Sequence, residues 1–131
     1  PDQMKNIIEK CNNFGNDQVM LCERGTSFGY NNLIVDMLGI SKMKSFNCPV
    51  VFDVTHSLQL PGQGKKAAGG RGDKAEDLAK AGVSIGIAGL FIEVHPNPKE
   101  ALCGGPSATP LHEFESLLEK VNAVDQAVKG F

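Results

Sequence analysis

Apolar side chains recur at helical spacing over residues 2–14, where Met4, Ile7, Ile8, Cys11 and Phe14 share one side and Gly15 stands where a left-handed C-cap residue belongs. Residues 19–22 are apolar throughout and run into Glu23-Arg24-Gly25, as in a buried strand with charge at its C-terminal end. A second helix is expected over residues 33–43, interrupted by Gly39. Residues 49–54 form the next β-branched, apolar stretch, which ends at Thr55-His56-Ser57. Residues 60–72 contain Pro61, five glycines, Lys65, Lys66 and Arg71, a composition that predicts a mobile loop. Residues 73–81 are helical in pattern, with Ala75, Leu78 and Ala79 on one face and Gly82 as the stop signal. A third strand is expected over residues 89–94. The last helix spans residues 111–128, with Leu111, Phe114, Leu117, Leu118, Val121, Val124 and Val128 as its apolar stripe.

A helix followed by three strand-helix units, with every strand apolar throughout, implies a parallel sheet covered by helices. Polarity gathers at one edge of that sheet: Arg24, His56 and Glu93 stand at or just past the C-terminal ends of the three strands, the edge where α/β folds bind ligands. Three strands cannot close a barrel, and a complete doubly wound domain of this length would carry about five. The sheet is therefore expected to be incomplete. A (β/α)8 barrel takes about 250 residues, so this chain would supply three of its eight units and one preceding helix.

Composition narrows the function classes. With 41% hydrophobic against 21% charged residues, the 131-residue chain can bury a core. A net charge of -2 with scattered basic residues gives no basic stripe for nucleic acid. No apolar run approaches the roughly 20 residues that span a bilayer, and the polar first residues are unlike a signal peptide. The expectation is a soluble, cytoplasmic protein. Cys11, Cys22, Cys48 and Cys103 stand far apart without a close pair, which favours free thiols in a reducing compartment over a structural zinc site. The chain begins at Pro1 rather than methionine, so a processed or truncated product enters consideration.

Three segments could carry chemistry. In residues 22–32 an arginine follows a strand among glycines and small hydroxyls; a guanidinium can grip two phosphate oxygens while glycine admits the anion to the backbone. An ordinary surface ion pair at Arg24 is the competing reading. His56 lies just beyond an apolar strand and suits a general acid, a base, a metal ligand or a structural histidine. The run Phe91-Ile92-Glu93-Val94-His95-Pro96 puts a carboxylate at the next strand end. On adjacent strands, Glu93 and His56 could converge on one ligand.

The runs CERGTSFGYNNLIVDM, PVVFDVTHSLQ, AAGGRG, GLFIEVHPNP and GGPSATPL occur in that order across essentially the whole chain. Together they resemble 3-deoxy-D-manno-octulosonate 8-phosphate synthase. The resemblance implies that residues 1–131 are the C-terminal portion of a single (β/α)8 barrel domain, containing strands six to eight. It implies that Arg24 binds the phosphate of phosphoenolpyruvate, and that His56 and Glu93 lie near the reacting carbons, where metal-dependent members use them as ligands of a divalent ion. Gln59 matches a pocket-lining, substrate-binding position. The complete protein would be a cytoplasmic homotetramer acting on phosphoenolpyruvate and arabinose 5-phosphate in lipopolysaccharide biosynthesis, without nucleic-acid or membrane partners.

Two departures qualify the resemblance. Where the family usually has an aspartate in its last site loop, this chain reads Cys103-Gly104-Gly105-Pro106-Ser107, so a metal ligand or its equivalent is missing at Gly104. These surroundings are closer to metal-independent members, whereas Gln59-Leu60-Pro61-Gly62 is closer to metal-dependent ones. The expectation is no cofactor, with a divalent metal as the alternative. The family's lysines for phosphoenolpyruvate and its sugar-phosphate loop are absent from these residues, so this chain alone is expected to be inactive. The family reaction condenses phosphoenolpyruvate, arabinose 5-phosphate and water to 3-deoxy-D-manno-octulosonate 8-phosphate and phosphate. The alternatives are a related phosphoenolpyruvate-dependent sugar-acid synthase using erythrose 4-phosphate or an amino sugar, and a non-catalytic half-barrel fragment.

Overall fold

A computed structural model describes residues 1–29, 31–62 and 69–130. The chain opens with α1 (Met4–Asn13), whose exit turns through Gly15 at φ +82°. Met4 and Ile8 pack on the core, but Ile7 and Phe14 of the predicted stripe face solvent. The first strand, β1, is Leu21–Glu23. Two short strands, β2 (Thr26–Ser27) and β3 (Leu33–Ile34), then pair antiparallel in the register Thr26↔Ile34 and Ser27↔Leu33. The helix expected from residue 33 is therefore a later one, α2 (Met37–Lys44). Its start is set by Asp36, whose carboxylate accepts the Gly39 N–H at 2.9 Å. Gly39 permits that cap, because a Cβ there would lie 2.7 Å from Asp36 Oδ2.

The central strand β4 (Val50–Asp53) is followed immediately by a single helical turn, α3 (Val54–Ser57). Beyond it, β5 (Gln59–Leu60) and β6 (Gly69–Gly70) pair antiparallel, Gln59↔Gly70 and Leu60↔Gly69. Residues 63–68 of the expected mobile loop lie outside the described residues. A 3-10 turn at Gly72–Lys74 leads into α4 (Ala75–Val83). Gly82 does not stop this helix. It lies within it, facing Phe52, whose ring a Cβ at position 82 would overlap. The turn out of the helix comes at Gly86, φ +72°, whose N–H donates to the Val83 carbonyl at 2.8 Å.

The third strand, β7 (Gly89–Phe91), ends before Glu93. Residues 94–95 leave the main sheet: β8 (Val94–His95) pairs parallel with β9 (Thr109–Pro110), Val94↔Thr109 and His95↔Pro110. The chain between them makes an excursion through Leu102 and returns directly into α5 (Leu111–Lys129). Only Leu117 and Val121 of the predicted α5 stripe are fully buried; Leu111 and Leu118 remain exposed.

The three long-range strands form a parallel sheet in the order β1-β4-β7, with registers Glu23↔Phe52 and Asp53↔Phe91 among others. The core lies on one face, where Leu21, Val50 and Phe52 meet Ile40, Ala79 and Val83 from the helices. Cys22, exposed, and Phe91, 46% exposed, show that the opposite face lacks comparable cover among the described residues. The α/β class and the parallel pairing agree with the sequence pattern, and among the described residues the helices cover one face of the sheet. All four cysteines are free thiols, and no described helix is long and apolar enough to cross a membrane.

Candidate active site

The site is built where β4 stops. Asp53, 6% exposed, turns the chain from strand into α3 by accepting the His56 backbone N–H on Oδ1 at 2.8 Å. Its other oxygen, Oδ2, lies 2.6 Å from Nδ1 of the same histidine. A residue three positions ahead thus holds both the backbone and the ring of His56. The Phe91 ring packs beside the imidazole with centroids 5.8 Å apart.

Glu93 reaches the same point from β7. Its N–H donates to Oγ1 of buried Thr55 at 2.7 Å, and its carbonyl accepts the Thr109 N–H at 2.9 Å. These two bonds explain why the expected strand over residues 89–94 breaks: the backbone at Glu93 is held by α3 and β9 instead of β4. The result places Glu93 Oε1 3.6 Å from His56 Nε2, too long for a well-formed hydrogen bond and close enough for both atoms to address one group. The convergence expected from adjacent strand ends is present. On its far side the Glu93 carboxylate abuts Gly104, φ +67°, where a Cβ would approach Oε2 to 2.6 Å.

Arg24 stands one residue past β1 and is exposed. The surface ion pair that competed with a ligand role is not formed with any described residue. Its loop is seated on α3, since a Cβ on Gly25 would lie 3.6 Å from Ser57 Cα. Gln59 is half-buried in β5 with its backbone paired to Gly70. No hydrogen bond ties either side chain to His56 or Glu93 among the described residues. Arg71, in the 60–72 segment, turns inward: its Nη2 donates to the carbonyls of Leu33 and Ser57, both at 3.3 Å, clasping β6 to the β3 and α3 segments. A cavity of about 400 Å³ beside it, lined in part by Leu33, Met37, Lys74, Asp77 and Leu78, contains neither His56 nor Glu93. The chemistry-bearing residues therefore lie elsewhere.

Sequence reasoning missed Asp53. It occurs inside the apolar run Val51-Phe52-Asp53-Val54 and reads as part of the strand; the available signal was its i,i+3 spacing to His56, which suits an N-cap. Cys22 lies near it, and although the residue is exposed, its thiol is held above the ordinary value of 9.0, first by partial desolvation against the sheet and then by the charges of Asp53 and Glu23. The protonated thiol is a poor nucleophile and a poor metal ligand. For a divalent ion this chain offers His56 Nε2 and the Glu93 carboxylate; no group of three or more His, Cys, Asp or Glu suited to a metal occurs among the described residues. Gly104, beside the Glu93 carboxylate, brings no side chain to this point.

Comparison with known proteins places the chain among its relatives. The family model for the DAHP synthetase I family matches residues 1–130. Over all 131 residues the chain is 60% identical to a protein of Marinobacter nauticus, 56% identical to one of Shewanella halifaxensis and 55% identical to one of Shewanella pealeana. Each is named 2-dehydro-3-deoxyphosphooctonate aldolase, a synonym of the synthase that the sequence motifs resemble. The chain spans about half the length of these curated relatives, 47%, 46% and 46% respectively. The chain belongs to the DAHP synthetase I family.

Proposed function

We propose that this chain is the C-terminal portion of a (β/α)8 barrel, strands six to eight, in a 3-deoxy-D-manno-octulosonate 8-phosphate synthase. The observation that carries the reading is the approach of His56 Nε2 to Glu93 Oε1 at 3.6 Å across neighbouring strand ends. In the reaction, C3 of phosphoenolpyruvate attacks the aldehyde carbon of arabinose 5-phosphate, whose oxygen takes up a proton. Water adds at C2, and phosphate leaves with cleavage of the C2–O bond. One phosphoenolpyruvate, one pentose phosphate and one water give the eight-carbon product and phosphate.

The residues divide the electrostatic work. Arg24, exposed at the rim, pairs bidentately with the phosphate of phosphoenolpyruvate. Glu93 is an anion beside C2 as positive charge develops there. His56 accepts a proton from the attacking water at Nε2. Gln59 lines the substrate pocket. The Cys103-Gly104-Gly105-Pro106-Ser107 surroundings, closer to those of metal-independent members, support action without a resident metal; were a divalent ion bound, His56 and Glu93 would hold it and it would supply Lewis-acid polarisation. The complete protein works in the cytoplasm as a homotetramer, in lipopolysaccharide biosynthesis.

The test is phosphate release from phosphoenolpyruvate by the complete protein with arabinose 5-phosphate, erythrose 4-phosphate or neither, before and after exhaustive chelation. Release that depends on arabinose 5-phosphate and survives chelation is expected. Preference for erythrose 4-phosphate would transfer the chain to a sister synthase, and activity lost to chelation and restored by a divalent ion would make His56 and Glu93 ligands.

A further inference from the structure

We infer that Asp53 is a positioning residue for the proposed reaction: its buried carboxylate keeps a proton on His56 Nδ1 and so presents Nε2 to the site as the ring's working nitrogen. The inference rests on the proposed function for its kinetic consequence, whereas its structural part stands on geometry alone. Asp53 Oδ2 is 2.6 Å from Nδ1, and an ionised carboxylate only accepts hydrogen bonds, so Nδ1 must be the donor. Asp53 Oδ1 is already engaged by the His56 N–H at 2.8 Å, which prevents the carboxylate from rotating away. The next turn of the chain is fixed as well, for Ser57 Oγ donates to the Asp53 carbonyl at 2.7 Å.

With Nδ1 occupied, the opposite nitrogen points at Glu93 Oε1, 3.6 Å away. A neutral ring of this tautomer offers a lone pair at Nε2, as a base for water requires. The alternative tautomer would put a proton on Nε2, direct it at Glu93, and leave no lone pair facing the site. The choice between an imidazole that accepts a proton and one that cannot is thus made by a buried side chain whose two oxygens are both engaged by His56. Orientation reaches Glu93 too, because Thr55, in the turn that Asp53 caps, accepts the Glu93 N–H.

Asp53 could instead serve only as the N-cap of α3, and Asp53→Asn separates the two roles. Asparagine caps a helix about as well as aspartate. Its Oδ1 can keep the bond from the His56 N–H, which leaves its NH2 group facing Nδ1 and forces that nitrogen to become an acceptor. The experiment uses the complete protein with 15N-labelled histidine, wild type and Asp53→Asn, and reads the His56 ring nitrogens by NMR, assigned through His56→Gln. Steady-state kinetics with phosphoenolpyruvate and arabinose 5-phosphate run in parallel.

The expected wild-type spectrum has a protonated Nδ1. In Asp53→Asn that proton moves to Nε2, kcat falls at least about tenfold and KM for phosphoenolpyruvate changes less than about twofold. An unprotonated Nδ1 in the wild type overturns the inference even if the variant does not fold. So does an unchanged ring pattern in the variant, or a changed pattern with undiminished kcat. If the complete protein lacks synthase activity, the functional reading fails while the spectra still decide which nitrogen Asp53 holds.

Discussion

Arg24 stands exposed at the rim of the sheet and forms no ion pair with a carboxylate among the described residues. In the complete protein, Arg24→Ala should raise KM for phosphoenolpyruvate about 30-fold, the equivalent of about 2 kcal/mol for a lost charge-assisted contact, and leave KM for the sugar phosphate nearly unchanged. Equal rises for both substrates, measured by initial rates with each varied in turn, would count against a phosphate-specific role. The meeting of His56 and Glu93 was legible in the sequence because polar side chains stand out at the ends of adjacent apolar strands; Arg24 stood out in the same way but is not joined to them in the fold. Asp53 was not legible as a site residue, because a carboxylate within an apolar run carries no sign of what its two oxygens bind. Gly104 could be read as a missing aspartate, but its close approach to Glu93 required the folded backbone.

At the scale of elements, α4 shows how a residue type can mislead. Glycine near the end of a helical pattern suggests a stop, yet Gly82 is buried against Phe52, itself wholly buried in the core. The missing side chain lets helix and sheet approach, a tertiary requirement that local pattern does not encode. Gly82→Ala should therefore destabilise the complete protein by about 1–3 kcal/mol through overpacking, since Phe52 has no free space to enter. The check is a lower denaturant midpoint with an unchanged slope. α4 and α5 share the apolar core through Ala79, Val83, Leu117 and Val121, and at the surface Glu76 of α4 accepts hydrogen bonds from Lys120 of α5 at 2.7 Å and from Lys80 of its own helix at 2.9 Å. The Lys120 bond foremost, then the Lys80 bond, holds the Glu76 carboxyl below its ordinary value of 4.5. A group lowered on folding adds stability above its ordinary value and loses it as pH falls through 4.5 and then through the lower folded value. Glu76→Gln should make stability fall less steeply over that acid window, read from denaturation midpoints at a series of pH values. Exposure of the trio to salt keeps the effect modest, and added salt should shrink the difference. The strand-helix alternation itself was legible, since period and turn residues encode it. The break at Glu93 and the β8–β9 pair depend on bonds to Thr55 and Thr109, distant in sequence.

For the molecule as a whole, β1 and β7 are the two outer strands of the three-stranded sheet, and its less-covered face exposes Phe91. Residues 1–131 purified alone should associate or unfold rather than give a cooperative monomer, because open strand edges and apolar surface recruit other chains. They should also fail to release phosphate from the two substrates, since catalysis requires both to be held in register. Sedimentation, a thermal transition and a phosphate assay on the isolated chain decide this; a cooperative, active monomer would overturn the half-barrel reading. The excursion between β8 and β9 has a separate consequence for engineering. Its ends are pinned side by side by the pairs Val94↔Thr109 and His95↔Pro110, while its middle carries the wholly exposed Leu102. A detour anchored in this way can be lengthened at an entropic cost that grows only with the logarithm of its length. Leu102 is thus a grafting point, where a reporter peptide could be inserted near the edge that carries His56 and Glu93 without re-registering the sheet.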